Sequence, residues 1–450
     1  MLEKRVLVIG AGLAGSDASF YLAEKGVQVV LVENKTLTKN PAQKIDSFAE
    51  LVCTNSLKSL NPDSAHGLLK TEMEALGSLV IKCAKESAVP AGDALAVDRD
   101  KFSALITTTL HEHPNITVVA READNPLELA AEFECSDIIV ATGPLTTDKL
   151  TGWIQENLAE DDFYFYDAIA PVVDADSLDY SKLYFKDRHK EIDDSADYLN
   201  APMNKEQYEQ FVEELVKAEK VQPKDFEEYK FFEACLPIDL MAERGKDTPR
   251  FSCMKPIGLK MADGTAPYAV VQLRKENLLG SAFNLVGFQT RLKYPEQKRV
   301  FSMIPGFENA SFIHLGSVHR NSFLNARKLL NWDLSAKKYP QLHFAGQMTG
   351  VEGYTESASS GLYVAYNLYK KLMDKEFKQF PVETAMGALV NYIMTCEKPC
   401  PSNINFGLIP SVTLTREQRR SRSKKRVKKE IASQRAREVF ASFLEREPKL

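Results

Sequence analysis

The chain has few of the features that mark membrane, secreted or disulfide-rich proteins. None of its apolar runs approaches the roughly 18 residues that a membrane-spanning helix needs. Its seven cysteines are odd in number and too scattered over 450 residues for a disulfide framework. Residues 5–9 (RVLVI) enter a strand without a secretory cleavage pattern. We therefore expect a cytoplasmic protein with reduced thiols and no membrane partner.

The chain as a whole also has only a small net charge. The net charge is −5, and 44% of the residues are hydrophobic, which is typical of a globular protein with enough apolar surface for a core. The exception is residues 413–430, which contain nine Lys or Arg and two acidic residues. Such a basic segment either binds a polyanion or forms a solvated helix face, and the sequence leaves both readings open.

The N-terminal 33 residues contain a dinucleotide-binding fingerprint. A buried strand over residues 6–9 runs into a GxGxxG turn, a helix follows over residues 16–25, and Glu33 ends the next strand. In such a turn Gly10 permits the tight bend, Gly12 lets the backbone approach a pyrophosphate, and Gly15 allows close helix–strand packing. Glu33 is expected to accept hydrogen bonds from a ribose. The turn comprises Gly10, Ala11, Gly12, Leu13, Ala14 and Gly15.

Two later segments favour FAD over NAD as the dinucleotide. Residues 137–143 (DIIVATG) form a buried strand that ends in a glycine turn, and residues 343–347 (HFAGQ) begin another strand–turn–helix. With the fingerprint they resemble the three FAD contacts of glutathione-reductase-like flavoproteins, although that family usually has Asp where this chain has Gln347. The chain has neither a second GxGxxG nor a CxxC. These absences argue against a permanent NAD(P) domain and against a dithiol–disulfide oxidoreductase.

These patterns predict an α/β fold: a Rossmann-like FAD-binding domain of the glutathione-reductase type with an inserted α+β domain. The composition changes between about residues 151 and 270, which are rich in Asp, Glu, Tyr and Phe and include a helical pattern over residues 205–220. The predicted divisions are the first part of the FAD-binding domain (1–150), the insertion (151–335), the second part of the FAD-binding domain (336–412) and a basic, helical C-terminal segment (413–450).

Five long motifs resemble a single protein family. They are GAGLAGSDASFYLAEKG, CTNSLKS, FFEACLPIDLMAERG followed by MKPIGL, HRNSFLNA, and AGQMTGVEGYTESASSG. Together they resemble the TrmFO family, the folate- and FAD-dependent tRNA (uracil-5-)-methyltransferases, which are related to the larger GidA-type tRNA-modifying flavoproteins. The resemblance covers about residues 5–410.

The resemblance implies methyl transfer to C5 of a T-loop uridine, at position 54 of the tRNA. The carbon would come from 5,10-methylenetetrahydrofolate. Reduced FAD would pass it on and supply reducing equivalents, and NADH or NADPH would reduce the flavin again. By their motifs, Cys235 matches the family's cysteine that attacks the uracil ring, and Cys53 matches its helper near the flavin. No metal is expected, because the CxxxC of Cys396 and Cys400 has no nearby His and is a poor zinc site.

A cysteine suits this chemistry because it is a good nucleophile and can also leave. A thiolate that adds to C6 of uracil makes C5 nucleophilic. Such a thiol needs electropositive surroundings in order to ionise, and Arg244 and Lys246 follow Cys235 closely enough to be considered. The base that removes the C5 proton stays open among Cys53, Glu352 and Glu356.

The glycine-rich segment before the last predicted helix, residues 357–371, is expected to contact the cofactor. Free backbone N–H groups at a helix start can hold the flavin edge or a phosphate. Tyr354 either stacks near the flavin or pterin or is a packing aromatic, and Arg320 either positions a cofactor or forms an interdomain salt bridge. The cofactor contacts predicted beyond the fingerprint are Thr142, Gly143, Gly346, Gln347, Gly350, Val351, Glu352, Gly353 and Tyr354.

An RNA substrate requires cationic contacts to phosphates and exposure of the target base. One candidate surface is residues 416–429, and the other is a group of cations on the insertion: Lys182, Lys186, Arg188 and Lys190. Three other functions stay open: a flavin oxidoreductase acting on a small molecule, a binding module that retains a flavin fold, and the same methylation chemistry on a uridine of 23S ribosomal RNA.

Overall fold

The structure, a computed structural model, describes residues 4–40, 42–158, 164–168, 170–193, 196–221, 236–275, 281–316, 318–397, 401–415, 418 and 423–446. The strands are β1 (Arg5–Ile9), β2 (Gln28–Glu33), β3 (Ser56–Ser59), β4 (Ala88–Val89), β5 (Ala94–Val97), β6 (Ile116–Ala120), β7 (Asp137–Val140), β8 (Tyr164–Ala168), β9 (Val172–Asp174), β10 (Tyr184–Phe185), β11 (Tyr198–Met203), β12 (Ala269–Lys275), β13 (Ala282–Leu285), β14 (Phe312–His314), β15 (Val318–Ser322) and β16 (Leu342–Phe344). The α-helices are α1 (Leu13–Glu24), α2 (Ala65–Ala75), α3 (Leu79–Glu86), α4 (Arg99–Glu112), α5 (Pro126–Glu132), α6 (Asp148–Asn157), α7 (Lys205–Lys217), α8 (Ile238–Arg244), α9 (Thr248–Phe251), α10 (Tyr294–Phe301), α11 (Ala326–Leu329), α12 (Tyr354–Leu372), α13 (Ala385–Thr395) and α14 (Lys424–Glu445).

A five-stranded parallel sheet organises the first unit, with the strand order β16-β7-β1-β2-β6. Its inner strands are apolar runs buried on both faces, as parallel strands covered by helices require. In chain order, β2 and β6 are added on one side of β1, and β7 and β16 are then added on its other side. The direction of strand addition therefore changes at β1, and a crevice opens at the carboxyl ends of β1 and β7. The expected Rossmann-like α/β fold is confirmed.

The long helix α12 lies against α1, the fingerprint helix. A Cβ atom at Gly361 would come within 2.2 Å of the Ala14 carbonyl oxygen, so a glycine is needed for this close approach. The helix begins at Tyr354, three residues before the start that the sequence predicts. The C-terminal part of the chain is therefore built into the same layer as its first βαβ unit.

A six-stranded antiparallel sheet, in the order β10-β11-β12-β13-β9-β14, organises the second unit. Helix α7 buries Phe211 and Leu215 in the core of this unit, and Asn204 and Gln207 form a capping box at its start. The helix ends at Lys217, three residues short of the predicted end. This unit has the α+β character expected of the insertion, while the predicted domain boundaries stay predictions.

Helix α14 is attached to the parallel-sheet unit by its C-terminal half. The Phe440 and Phe443 rings pack against Phe380, with ring centroids 5.8 Å and 4.9 Å away. The Arg437 guanidinium contacts Asp63 Oδ1 at 3.2 Å. The N-terminal half of α14 carries the basic sequence; it buries Ala432 and Ser433, and Lys429 Nζ lies 5.8 Å from the Phe406 ring centroid.

The described part of the chain has neither a membrane-spanning helix nor a cluster of metal-ligating side chains. No helix there is both long and apolar enough to cross a bilayer. The same residues include no group of three or more His, Cys, Asp or Glu side chains placed to hold a metal ion.

Candidate active site

A cleft of about 700 Å³, which we name the dinucleotide cleft, opens at the carboxyl ends of β1, β2 and β7. Gly10, Gly12, Glu33 and Thr142 all line it, so the structure brings the fingerprint and the first later turn together. Gly143 follows Thr142 with a φ of +72°. Parallel strands end at the same edge of a sheet, which is why segments more than 100 residues apart meet here.

Close packing within the protein requires a glycine at two of the three fingerprint positions but not at the third. A Cβ at Gly10 would lie 2.7 Å from the Ala141 carbonyl oxygen, and one at Gly15 would lie 1.8 Å from the Gly10 carbonyl oxygen. Gly12 has an ordinary extended conformation, and the heavy atom nearest to its added Cβ would be 3.9 Å away. The packing of the protein therefore does not require Gly12, but a side chain there would occupy the cleft. This geometry fits the close approach of a pyrophosphate.

The Glu33 carboxylate is fixed at the wall of the dinucleotide cleft. Its Oε2 accepts a hydrogen bond from the Ala11 N–H at 2.7 Å, and its Oε1 accepts one from the Lys35 N–H at 2.9 Å. Each carboxylate oxygen has a further lone pair. Glu33 thus ties the glycine turn to the end of β2 and retains acceptors for the ribose that the sequence predicts.

The segment after β16 extends from the fingerprint helix toward Cys53. An added Cβ at Gly346 would lie 3.4 Å from Ala14 Cβ, and the Gln347 side chain donates to Glu352 Oε1 at 2.8 Å. The Gln347 side chain therefore makes a hydrogen bond within this segment, whereas the sequence predicts that it contacts the cofactor. The predicted contacts in this segment that have a positive φ are Gly346, Gly350 and Gly353; Val351 is buried.

A second cleft, which we name the cysteine cleft, lies between the two units and has a volume of about 600 Å³. Cys53 lines it together with Leu236, the residue after Cys235. Cys235 itself lies outside the described residues. Among the described residues that line this cleft, three are cationic and none is acidic. The three cations are Lys58, Arg244 and Arg274.

The loop that carries Cys53 is held from both units. The Tyr354 hydroxyl oxygen accepts hydrogen bonds from the backbone N–H groups of Cys53 (2.7 Å) and Thr54 (3.1 Å). From the insertion, Arg274 donates through Nε to Asn55 Oδ1 at 2.9 Å and through Nη2 to Thr54 Oγ1. Tyr354 therefore positions the cysteine loop through its hydroxyl group. Sequence reasoning missed Arg274 and gave no signal for it, whereas Asn55 is part of the CTNSLKS motif.

Cys53 also lines an adjoining cavity of about 630 Å³. Arg99 and Lys44 contribute positive charge to this cavity, and Arg99 reaches the Cys53 carbonyl oxygen at 3.5 Å. Residues 290–295 of the insertion form another part of its wall. Cys53 therefore lies where two cavities meet, so a substrate and a small molecule could approach it from different sides.

The two glutamates considered as bases are held in the interior of the protein. Glu356 is fully buried and accepts a hydrogen bond from the Ile404 N–H at 3.1 Å. Burial raises its pKa, but the contact with His66 (Nδ1 to Oε1, 3.3 Å) and the charge of Lys58 outweigh burial and hold the pKa at about 2. Glu356 is thus a weak base, and neither it nor Glu352 lines the cysteine cleft.

The cations on the insertion are engaged within the protein. Lys182 contacts Glu308 at 2.8 Å and Lys190 contacts Asp187 at 2.9 Å, while Lys186 and Arg188 donate to backbone carbonyl groups. On α14, in contrast, Lys428 and Lys429 are exposed, and Arg426 is 83% exposed despite its contact with Glu430. The side chains of residues 424 and 425, most of residues 416–422 and the Arg320 side chain lie outside the described part.

Comparisons with known proteins connect this geometry to a family. Residues 5–376 match the family model described as glucose inhibited division protein A, GidA. Over 98% of its length the chain is 46% identical to the methylenetetrahydrofolate–tRNA-(uracil-5-)-methyltransferase TrmFO of Natranaerobius thermophilus, and the match covers 99% of that protein. The chain belongs to the GidA family, in its TrmFO group. The TrmFO of Bacillus subtilis is also 46% identical, over 94% of this chain and 96% of that protein.

Solved structures support the fold of this TrmFO-group chain. Aquifex aeolicus GidA superposes with a TM-score of 0.66 over 98% of this chain and 74% of that chain, at 14% identity. Identity this low carries information about the fold alone. The TrmFO resemblance of the sequence motifs is confirmed by the relatives, and the flavoprotein fold is confirmed by the structural neighbour.

Proposed function

We propose that the chain transfers a one-carbon unit from 5,10-methylenetetrahydrofolate to C5 of a T-loop uridine, position 54 of tRNA, and so forms 5-methyluridine. The observation that carries this proposal is the position of Cys53. It lies in a cationic cleft and is held by Tyr354, which belongs to the segment expected to contact the flavin. Relatives that match nearly the whole chain have names that state this activity.

Residues on the edge of the parallel sheet would hold FAD. Gly12 and the N-terminus of α1 would face the pyrophosphate, Glu33 the ribose, and Thr142 the opposite wall of the dinucleotide cleft. The segment from Gly346 to Tyr354 would follow toward the flavin end. When bound, FAD would supply the reducing equivalents and carry the one-carbon unit, and NADH or NADPH is the proposed reductant.

We assign the attack on the uracil ring to Cys235, by its motif and by the place of Leu236 in the cysteine cleft. The thiolate adds to C6, and the electron pair of the C5–C6 double bond moves toward the C4 carbonyl oxygen. C5 then forms a bond to the methylene carbon, and loss of the C5 proton breaks the bond between that carbon and its carrier nitrogen, which leaves a methylene group double-bonded to C5. A hydride, the two-electron equivalent that bound FAD would supply, would add to this methylene to give the methyl group as the thiolate leaves C6 and the C5–C6 double bond returns. Of the candidate bases, Cys53 is the one that lines the cleft where the proton is released.

The cations in the cysteine cleft support both steps. Lys58, Arg244 and Arg274 favour ionisation of a thiol and stabilise negative charge on the C4 oxygen. Cys253 also lines this cleft, but burial raises its pKa to about 12, so it stays a thiol at neutral pH. The position of Cys53 in the cleft therefore supports it as one member of the reacting pair, the motif assigns Cys235 as the other, and Cys253 is given no chemical part.

The transfer of labelled carbon tests this function directly. We expect label from methylenetetrahydrofolate to enter an unmodified tRNA transcript in the presence of NADH or NADPH, and S-adenosylmethionine should not replace the folate. A transcript with cytidine in place of the T-loop uridine is the matched control and should stay unlabelled. Label in 23S ribosomal RNA alone would move the activity to that substrate. Oxidation of the nicotinamide without labelled RNA would favour a small-molecule oxidoreductase.

The proposed partner is tRNA, which places the enzyme in the cytoplasm. The exposed cations of α14 are the candidate contacts to its phosphates. Lys428 and Lys429 are exposed, and Lys429 Nζ lies 5.8 Å from the Phe406 ring centroid. Arg426 is 83% exposed, and its Nε contacts Glu430 Oε1 at 2.6 Å. Phosphate contacts release counterions, so they make binding strongly salt dependent.

Replacing Arg426, Lys428 and Lys429 by glutamine should weaken tRNA binding and flatten its dependence on salt. Each lost contact should reduce the log–log slope by about 0.7–0.9 units. Flavin content and flavin reduction should not change. The matched control replaces Lys85 of α3 and Lys205 and Lys217 of α7, three exposed lysines that each pair with a glutamate. If both triple variants bind tRNA with the wild-type slope, α14 is only a solvated helix.

A further inference from the structure

The rim of the cysteine cleft carries two large apolar side chains that the proposed chemistry does not use. Phe251 is 70% exposed and Ile257 is 55% exposed. Both belong to residues 248–260, which we name the rim segment. Single exposed apolar residues are common on protein surfaces, so exposure alone does not indicate a site. Their position relative to the cleft is more informative.

Phe251 is next in the chain to residues that line the cysteine cleft. Thr248, Ser252 and Cys253 all line it. Phe251 ends α9 directly before Ser252 and lies one helical turn after Thr248, so it belongs to the edge of this wall. Its ring is thus close to the cavity that Cys53 lines, and most of its surface is open to solvent.

A network of contacts holds Phe251 in place. The Arg250 guanidinium lies 5.5 Å from the Phe251 ring centroid and 4.1 Å from that of Tyr268. Arg250 itself is fixed, because its Nε donates to the Tyr268 carbonyl oxygen at 2.8 Å and its backbone N–H donates to the Tyr208 hydroxyl oxygen at 3.1 Å. The exposed Phe251 ring therefore lies beside a guanidinium group whose position is fixed by hydrogen bonds.

Two of the insertion cations that the sequence analysis considered as contacts to RNA phosphates instead form hydrogen bonds to the rim segment. Arg188 donates to the carbonyl oxygens of Lys255 and Ile257, and Lys186 donates to that of Lys260. The Tyr184 hydroxyl donates to the Leu259 carbonyl oxygen at 2.7 Å. Ordering of the rim segment before binding reduces the entropic cost of forming an interface on it.

We infer that the Phe251 ring stacks on an unpaired base of the T-loop. The inference rests on the proposed function. An enzyme that acts on a stacked uridine must expose it, and the neighbouring bases then lose a stacking partner. An exposed aromatic ring beside a guanidinium is the surface on which proteins stack such bases. Charge complementarity agrees, because the adjacent cleft is cationic.

Replacing Phe251 by alanine should raise the Kd for tRNA by about 5- to 150-fold, the range expected for the loss of one base–aromatic stack. Phe251→Trp should bind within about twofold of wild type, because it keeps an aromatic face for stacking. Ile257→Ala is the matched control: it removes an exposed apolar side chain from the same segment but no aromatic ring. Flavin content and nicotinamide oxidation should be unchanged in all three variants.

A T-arm hairpin with single abasic positions tests the stacking itself. At one loop position the abasic change should weaken binding to wild type but not to Phe251→Ala, because the same contact is already absent. Wild-type affinity of Phe251→Ala, the lack of any such position, or an equal loss in Ile257→Ala would overturn the inference. A changed oligomeric state of Phe251→Ala would assign the ring to self-association instead. Failure of the wild type to label any RNA would refute the proposed function, and that result does not depend on the variants.

Discussion

Gly12→Val is expected to give a folded chain that no longer retains FAD. The nearest heavy atom to a Cβ at this position is 3.9 Å away, and the backbone conformation is one that valine adopts readily. The cost to the fold is that of a poor helix N-cap, about 1 kcal/mol. The side chain would project into the dinucleotide cleft, where the pyrophosphate is proposed to lie. We expect the flavin absorbance of the purified variant to fall below about a tenth of wild type, because the backbone loses its close approach to the phosphates.

Gly15→Val provides the contrasting variant. A Cβ there would lie 1.8 Å from the Gly10 carbonyl oxygen, so the contact between helix and turn cannot form. This variant should be poorly folded by circular dichroism and size-exclusion chromatography, whereas Gly12→Val should resemble wild type in both measurements. Full flavin absorbance in folded Gly12→Val would show that the phosphate turn has been assigned wrongly.

Cys235→Ala is expected to reduce methylation by about 10³-fold or more, since it removes the proposed nucleophile. Flavin should stay bound, because the dinucleotide cleft is built from other residues. With 5-fluorouridine at the target position, C5 has no proton to lose and the covalent adduct at C6 persists. Wild type should therefore give a protein–RNA adduct on a denaturing gel, and Cys235→Ala should give none.

Cys253→Ala is the matched control for this experiment. Cys253 lines the same cleft, but burial raises its pKa to about 12 and keeps the thiol protonated. The variant should form the adduct as wild type does. Cys53→Ala should methylate slowly and still form the adduct if Cys53 acts after the ring is attacked. An adduct that survives in Cys235→Ala and disappears in Cys53→Ala would exchange the two roles.

Local sequence patterns were sufficient to predict the edge of the parallel sheet. A glycine turn, an acidic strand end and a second glycine turn each follow an apolar strand, and parallel strands bring such ends together. Gly10, Glu33 and Thr142 consequently lie around one cleft. Helix limits were less predictable, because the start of α12 at Tyr354 depends on the glycine-rich segment before it rather than on its apolar pattern.

Contacts between distant segments could not be predicted in this way. The Tyr354 hydroxyl and the Cys53 N–H are 301 positions apart, and Arg274 reaches Asn55 from the insertion. Neither contact leaves a periodic pattern in the sequence. The cationic cluster around Arg188 shows the same limitation, because charge composition does not reveal whether a side chain faces solvent or a neighbouring carbonyl group.

The position of β16 beside β7 has a consequence for synthesis of the chain on the ribosome. The apolar edge of β7 is complete long before its partner strand exists, since about 200 residues separate them, or about 10–40 s of translation. During that time Ile138, Ile139 and Val140 form an unpaired strand edge of the kind that promotes aggregation. The proposed flavin site also lacks the residues after β16 until the insertion has been made. A nascent chain that ends within the insertion therefore cannot be rescued by adding FAD.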